Sequence, residues 1–267
     1  MKKTFALIIC TLVLLTGCAG EKDSHNTNSM RYKKVLVVGI DDEFAPLGFR
    51  DEQGNIVGFD VDLAKEAAKR IGVEFEFRPI DWENKEFEIT SGNVDIIWNG
   101  CDIIDEYKEF MIFSKPYMDN RKIVLVKAGN EQDIYSVDDL TGKIVGTQAG
   151  SSSKAYINSD ADLKNSFKEF KTYRSIKDGF AALEGGAIDA FIVDEIAARY
   201  EMINNPGKFD PVEATVGFAT EFGIGFRKDD TELRDKVQRA FDDMLRDGTA
   251  RKISEQWFQS DIIKRHR

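Results

Sequence analysis

Hydrophobic and polar positions along the chain alternate between a strand period and a helix period. Lys34–Gly39 is a short β-branched run of the kind that forms a buried strand. Val73–Phe77 alternates apolar with charged residues, which predicts a strand with one solvent-facing side. Between these strands, apolar residues recur at helical spacing and stop just before Gly72: Phe59, Leu63, Ala67 and Ile71. The β-α-β order continues and predicts a mostly parallel sheet covered by helices.

The last part of the chain predicts two more helices. The first ends at Gly248 and has an apolar face formed by Leu233, Val237, Phe241 and Met244. The second is short and contains Ile253, Trp257 and Phe258. We assign Trp257 to core packing.

Two stretches of the sequence repeat in form. Gly92–Ile97 recurs as Gly186–Phe191, each after a helical segment, and Lys34–Asp41 has a counterpart in Lys143–Gln148. The units are large and occur only twice, which excludes a solenoid. The repeat therefore predicts two α/β lobes of similar plan, with a ligand cleft between the carboxyl ends of their strands.

The N-terminus has the features of a bacterial lipoprotein signal. Lys2 and Lys3 precede the apolar run Phe5–Leu15, which is too short to span a bilayer comfortably. Leu15–Cys18 looks like a lipobox, in which the chain is cleaved before the cysteine and its thiol is acylated. We therefore predict a signal peptide over residues 1–17, lipidation of Cys18 and a polar tether over residues 18–33. An ordinary signal peptide with an incidental cysteine is the alternative.

The amino-acid composition argues against several classes of function. The 267 residues are 42% hydrophobic and 31% charged, with a formal net charge of −10, and these values are typical of a globular, acidic protein. Such a surface argues against nucleic acid as a partner. Three cysteines are too few for a disulfide framework, and the lone cysteine of the body, Cys101, is expected to be buried. His25 and His266 lie near the two ends, so we expect no metal site, cofactor or histidine-based catalysis.

An ordered set of motifs resembles family 3 of the bacterial extracellular solute-binding proteins, the polar amino-acid receptors of ABC importers. The motifs are Gly39–Asp41, Phe44–Pro46, Val57–Ala64, Ile80–Trp82, Ile97–Gly100, Phe113–Tyr117, Gly150–Ser152, Asp194–Glu195, Gly223–Lys228, Asp247–Thr249 and Ile253–Ser254.

This resemblance implies a type II periplasmic-binding-protein fold, with two α/β lobes joined by a two-strand hinge. The first lobe would comprise residues 34–121 and 223–267, and the second residues 122–222. The implied function is that of a monomeric, lipid-anchored receptor on the extracytoplasmic face of the cell membrane. It would bind an amino acid or related small amine in the cleft and deliver it to an ABC permease, without catalysis.

The resemblance also implies the ligand-binding residues. In the first lobe these would be Asp41, Phe44, Asn99, Gly100, Asp102 and Tyr107. In the second lobe they would be Gly150, Ser151 and Ser152, at the start of a helix with N–H groups free for an anion, and Asp194, which would hold the α-ammonium.

The chain departs from the family at the residue that should bind the solute carboxylate. Family members read Asn-Gly-x-Thr-Ile-Thr-x-x-Arg, whereas residues 99–107 here have Asp102 in place of the first threonine and Tyr107 in place of the arginine. Three interpretations stay open. Lys108 or Arg121 could supply the cation; the solute could be an amine without a carboxylate, held by an acidic and aromatic cage; or binding could have been lost.

Two further function classes remain as alternatives. A dehydratase resembling cyclohexadienyl dehydratase would use carboxylates such as Glu43, Asp102 or Asp194 for acid–base chemistry. A ligand-sensing or non-binding paralogue would keep the fold and act through a separate receptor chain.

Overall fold

Strands and helices alternate along residues 34–130 and 132–266, which a computed structural model describes. The strands are β1 Val35–Ile40, β2 Glu43–Phe44, β3 Gly48–Arg50, β4 Ile56–Val57, β5 Glu74–Pro79, β6 Ile96–Asp102, β7 Met111–Phe113, β8 Met118–Asn120, β9 Lys122–Lys127, β10 Ile144–Gln148, β11 Glu169–Tyr173, β12 Ala190–Asp194, β13 Phe209–Thr215 and β14 Thr220–Arg227. The helices are α1 Phe59–Ile71, α2 Lys85–Thr90, α3 Asp105–Lys108, α4 Ser152–Ser159, α5 Ala161–Ser166, α6 Ile176–Glu184, α7 Glu195–Asn204, α8 Thr231–Asp247 and α9 Thr249–Phe258. The predicted signal peptide, Cys18 and the tether lie outside the described residues.

Local sequence explains where the principal helices begin and end. Helix α1 covers the predicted range, and Gly72 follows it in the left-handed conformation that lets a chain leave a helix. Gly248 does the same between α8 and α9, and the predicted apolar face of α8 is buried. Trp257 on α9 is only partly buried. Its indole N–H donates to Asp62 Oδ2 at 2.9 Å, and its ring meets Phe49 edge-on.

The two large sheets share one plan. The first has the strand order β5-β1-β6-β14-β7, with β8 also pairing with β14, and the second has the order β11-β10-β12-β9-β13. In each sheet the first three strands are parallel, and the strands added beyond them are antiparallel. The prediction of mostly parallel sheets was therefore wrong for the outer half of each, because strands from the two chain crossings complete both sheets.

We call the first sheet with the helices packed on it the first lobe, and the second sheet with its helices the second lobe. Helices α1, α2, α8 and α9 belong to the first lobe, and α4, α6 and α7 to the second. A small sheet of β2, β3 and β4 completes the first lobe beside α1.

The chain crosses between the two sheets twice. β8 belongs to the first sheet and ends at Asn120, and β9 begins at Lys122 in the second. On the return, β13 belongs to the second sheet, and β14 enters the first at Thr220, opposite Asn120. The lobe limits stated from the sequence stay a prediction; by sheet membership the second crossing falls before Thr220.

Each lobe is built around its own buried apolar cluster. That of the second lobe includes Val124, Val145 and Ile192. That of the first includes Ile97, Cys101 and Tyr107. The Cys101 thiol is buried as expected, and burial raises its pKa to about 12, so it is an unreactive part of the core.

The repeated sequence motif has a structural role. Asp95 Oδ2 accepts a hydrogen bond from the Val37 N–H at 2.8 Å, and Asp189 Oδ2 accepts one from the Ile144 N–H at 2.7 Å. The motif thus joins the start of β6 to β1 in the first lobe and the start of β12 to β10 in the second. Asp95 is fully buried and also binds Arg227, at 2.8 Å.

A helix able to cross a bilayer is not found in the part of the chain that the structure describes.

We expect the two repeated carboxylates to differ in their contribution to stability. Asp95→Ala removes a backbone partner and leaves Arg227 without this carboxylate, and should lower the free energy of unfolding by about 3 kcal/mol. Asp189→Ala removes a half-buried backbone partner and should cost about 1 kcal/mol. Urea unfolding followed by circular dichroism measures both, and equal losses would contradict this assignment.

Candidate functional site

The predicted site residues follow the carboxyl ends of the parallel strands in both lobes. Asp41 comes directly after β1, and Asn99–Asp102 ends β6. In the second lobe, Gln148 ends β10 and Asp194 ends β12. Because carboxyl ends of parallel strands meet at one edge of a sheet, the two edges face each other across a cleft.

One small cavity lies where these edges meet. Its lining residues are Asp41, Phe44, Trp82, Asn99, Gly100, Asp102, Tyr107, Gln148, Ser151, Ser152 and Asp194. Its volume is about 10 Å³, the room for about one water molecule, so a larger solute requires the lobes to move apart. Nine of the ten residues predicted from the sequence line this cavity; Gly150 does not.

The Asp41 carboxylate spans the cleft. Its Oδ1 accepts from the Glu43 N–H at 3.0 Å, and its Oδ2 accepts from Gln148 Nε2 of the second lobe at 2.5 Å. Burial raises the pKa of the Asp41 carboxyl to about 6, although both hydrogen bonds act in the opposite direction. Asp41 therefore changes charge close to neutral pH.

Backbone geometry at the end of β6 depends on a glycine. Gly100 has a φ of +58°, and an added Cβ would lie 2.7 Å from both Phe44 and Leu47. Its N–H donates to the fully buried Asp60 Oδ2 at 2.7 Å. Beside it, Asn99 Oδ1 accepts from the Asp41 N–H, and the buried Asn99 Nδ2 has no partner among the described residues.

A buried lysine joins the carboxylates of the two lobes. Lys122 Nζ lies 2.7 Å from Asp102 Oδ2 of the first lobe and 2.6 Å from Asp194 Oδ1 of the second. Asn120 Nδ2 donates to the same two carboxylates, at 3.0 and 2.6 Å, and the Thr220 hydroxyl donates to Asp102. Burial acts to lower the pKa of Lys122, but the two carboxylates outweigh it and raise the pKa. The lysine is therefore a fixed cation, and only 3% of it is exposed.

Tyr107, at the sequence position where the family motif has arginine, binds the opposite lobe. Its hydroxyl donates to the Gly150 carbonyl oxygen at 2.7 Å, and Lys85 Nζ donates to the same oxygen at 2.5 Å. Lys85 Nζ also lies 4.2 Å from the centre of the Tyr107 ring, a cation–π contact. Burial lowers the pKa of Lys85 to about 8.

Gly150 allows this close approach between the lobes. Its φ is +70°, and an added Cβ would lie 2.5 Å from Glu83 Cα and 2.7 Å from the Trp82 carbonyl oxygen. The glycine predicted as a ligand contact thus lies outside the cavity lining, against the first lobe.

Helix α4 begins at the cavity, as predicted. Ser151 caps it, with its hydroxyl accepting from the Lys154 N–H. The Ser152 hydroxyl donates to Asp102 Oδ2 at 2.5 Å. The Ser152 hydroxyl, in the first turn expected to receive a solute carboxylate, is therefore already bound to a carboxylate of the first lobe.

The two cations considered from the sequence bind elsewhere. Lys108 Nζ pairs with Asp105 at 2.8 Å, and Arg121 makes two hydrogen bonds to Glu195, of 2.5 and 2.7 Å. The structure instead places Lys122 at the cleft, with Lys85 behind Tyr107. Metal ligands do not cluster anywhere in residues 34–130 and 132–266.

Sequence reasoning gave no site role to Trp82, Gln148 or Lys122. Trp82 belongs to the family motif Ile80–Trp82, and Gln148 ends the repeated segment Lys143–Gln148. Their positions, in a loop and at a strand end, were the sequence signal that could have marked them as site residues. Lys122 opens an apolar strand, and nothing in its neighbourhood along the chain marks it as a partner of Asp102.

The comparison with known families agrees with this architecture. The model of "Bacterial extracellular solute-binding proteins, family 3" matches residues 36–260. This chain belongs to that family. Its fold is the type II periplasmic-binding-protein fold predicted from the motifs.

Members of family 3 resemble the chain over nearly its whole length. The L-cystine-binding protein TcyJ of Escherichia coli K12 is 31% identical over 237 residues, covering 89% of this chain and 87% of that protein. A substrate-binding protein of an ABC uptake transporter from Streptococcus pneumoniae, solved with bound histidine, superposes with a TM-score of 0.84 at 33% identity and covers 89% of this chain and 98% of its own. The ancestral amino-acid-binding protein AncCDT-1, a precursor of cyclohexadienyl dehydratase, superposes with a TM-score of 0.76 at 31% identity. The match covers 84% of this chain and 96% of that protein.

For this member of family 3, the raised pKa of Asp41 predicts a pH-dependent stability. The pKa of the Asp41 carboxyl is about 6 in the folded state, against 3.8 for an ordinary aspartate. The contribution of Asp41 to stability is therefore highest at low pH and is lost as pH rises from about 4 to about 7. Asp41→Asn should remove up to about 3 kcal/mol of that decline.

Urea unfolding at a series of pH values measures this difference between wild type and variant. Asp162→Asn, at an exposed position of the second lobe, is the matched control and should keep the wild-type slope. An unchanged slope in Asp41→Asn would contradict the assignment.

Proposed function

We propose that this chain is the lipid-anchored receptor of an ABC importer, binding an amino acid or related small amine between its lobes. The observation that carries the proposal is that nine of the ten residues implied by the family resemblance line one interlobe cavity. They lie at or next to the ends of β1, β2, β6 and β12, on α3 and at the start of α4. The family and the amino acids named for its relatives support the same class of solute.

Asp194 is the residue we assign to the solute ammonium. It lines the cavity, and its Oδ1 accepts from Lys122 and Asn120. Its Oδ2 accepts no hydrogen bond from the described residues, so this oxygen is available to a solute N–H. A charge-assisted hydrogen bond of this kind is among the stronger polar contacts.

Aromatic rings supply the apolar walls. Phe44, Trp82 and Tyr107 line the cavity and are 4%, 7% and 2% exposed. Rings of this kind exclude water from the solute stem and present a negative face to an ammonium group.

Contacts across the cleft explain how binding would be signalled. The lobes bind each other through Asp41–Gln148, Asp102–Ser152 and the two donors to Gly150. A solute that bridges the same groups stabilises the closed form, and a permease can distinguish it from an open one.

A dehydratase is less well supported by the site. The carboxylates that would serve as acid or base are each held by a cation: Asp102 and Asp194 by Lys122, and Glu43 by Arg174. Such pairing opposes protonation of a carboxylate, although burial raises the pKa of Asp194 in spite of Lys122.

Replacing Asp194 tests the binding proposal. The mature chain, purified in detergent, is titrated calorimetrically with the common amino acids and with their decarboxylated amines. Asp194→Asn should weaken any ligand found by roughly a hundredfold, since a charged partner is lost from a buried site. Asp162→Asn should bind as wild type does, and absence of binding by any compound would refute the proposal.

Membrane attachment rests on the N-terminal motif and is tested separately. Two acyl chains on Cys18 anchor a protein stably, whereas an unmodified chain has no such attachment. Cys18→Ser should move the chain from the membrane fraction to the soluble fraction and remove lipid labelling. A variant that stays in the membrane and is labelled would contradict lipidation at this residue.

A further inference from the structure

The charges around the cavity do not match a zwitterionic solute. Asp41, Asp102 and Asp194 line it, and Lys122 is the cation in direct contact with two of these carboxylates. With all three groups ionised, the cluster of Asp102, Asp194 and Lys122 carries one net negative charge, and ionised Asp41 adds another. Burial raises the pKa of Asp194, and Lys122 opposes that rise. A cation balances this excess, whereas an amino acid, which has no net charge, leaves it in place.

The position suited to a solute carboxylate is already occupied by a carboxylate of the protein. Asp102 Oδ2 accepts from the Ser152 hydroxyl at the start of α4 and from Lys122 Nζ. A second carboxylate beside α4 would lie against Asp102 in a site of low dielectric. At 4 Å, two like charges repel by about 4 kcal/mol at an effective dielectric constant of 20, which corresponds to a loss of affinity of roughly a thousandfold.

Three other described cations near the cleft are held by other partners and do not relieve this repulsion. Lys85 does not line the cavity, and its ammonium donates to the carbonyl oxygens of Gly150 and Trp82. Lys108 and Arg121 bind Asp105 and Glu195.

The remaining groups suit an organic cation. Asp194 Oδ2 can accept an N–H, and the Phe44, Trp82 and Tyr107 rings enclose the space beside it.

We infer that the cleft selects a small amine or guanidine without a carboxylate, and that the Asp102–Lys122 pair excludes zwitterionic amino acids. This inference rests on the proposed binding function. Lys122 is a specificity-determining residue in it, because its ammonium holds the Asp102 carboxylate in place and is therefore already paired when a solute carboxylate arrives.

Matched pairs of probes that differ only by the carboxylate test the inference. The mature chain in detergent at pH 7.5 is titrated calorimetrically with histidine and histamine, leucine and isoamylamine, glutamine and 4-aminobutanamide, and arginine and agmatine. In at least one pair, the amine should bind roughly a hundredfold or more tighter than its amino acid.

A variant with the family pattern should reverse this preference. Asp102→Thr combined with Tyr107→Arg removes the resident carboxylate and supplies a forked cation, so an amino acid should then bind tighter than its amine. Asp162→Lys, which makes the same charge change of +2 at an exposed position of the second lobe, is the charge control and should keep the wild-type preference. Circular dichroism and thermal melting establish that each variant is folded.

The outcomes separate the two proposals. Amino acids bound by wild type in preference to amines would overturn this inference and leave the proposed function standing. A folded double variant that still prefers amines would overturn the role given to Asp102. Binding of neither class by wild type would overturn both proposals.

Discussion

A charged group buried between two lobes has to be paired, and this constraint organises the cleft. Lys122 is almost fully buried at the start of β9, where water cannot stabilise its ammonium. It is tolerated because Asp102 and Asp194 approach from opposite lobes to within 2.7 and 2.6 Å. Removing one partner of such a group usually costs several kcal/mol, since the other charge stays buried. These three residues meet because Asp102 and Asp194 end β6 and β12, and because the chain crosses between the lobes after Asn120, which places Lys122 at the start of β9.

The two contacts of Lys122 differ in what they hold together. Lys122 and Asp194 are direct neighbours on β9 and β12, so their ion pair lies within the second sheet and moves with it. Asp102 ends β6 in the first sheet, so its contact with Lys122 crosses the cleft. Separation of the lobes therefore breaks the Asp102 contact and keeps the Asp194 contact. Opening of the lobes therefore has to break the protein's own ion pair between Asp102 and Lys122.

Much of the fold could be predicted from the sequence, and most of the site could be located. Helix α1 was predicted correctly because Gly72 marks its end, and the two lobes followed from the repeat around Asp95 and Asp189. The antiparallel half of each sheet was missed, because short strands such as β7 and β8 have no clear period. The candidate site residues came from the resemblance to family 3, and nine of the ten line one cavity in the structure. Lys122 was missed because its partners are distant in sequence, and only the chain crossing makes them neighbours.

The Gly150 carbonyl has a consequence for the motion of the lobes. One oxygen atom of the second lobe accepts from two side chains of the first, Tyr107 and Lys85, and these two are themselves in contact. A small displacement of that oxygen weakens both hydrogen bonds at once, since each depends steeply on distance and angle. Intermediate degrees of opening thus keep neither bond while already losing the packing around Gly150. The molecule should accordingly populate two discrete arrangements, with few conformations between them, and exchange between them in single cooperative steps.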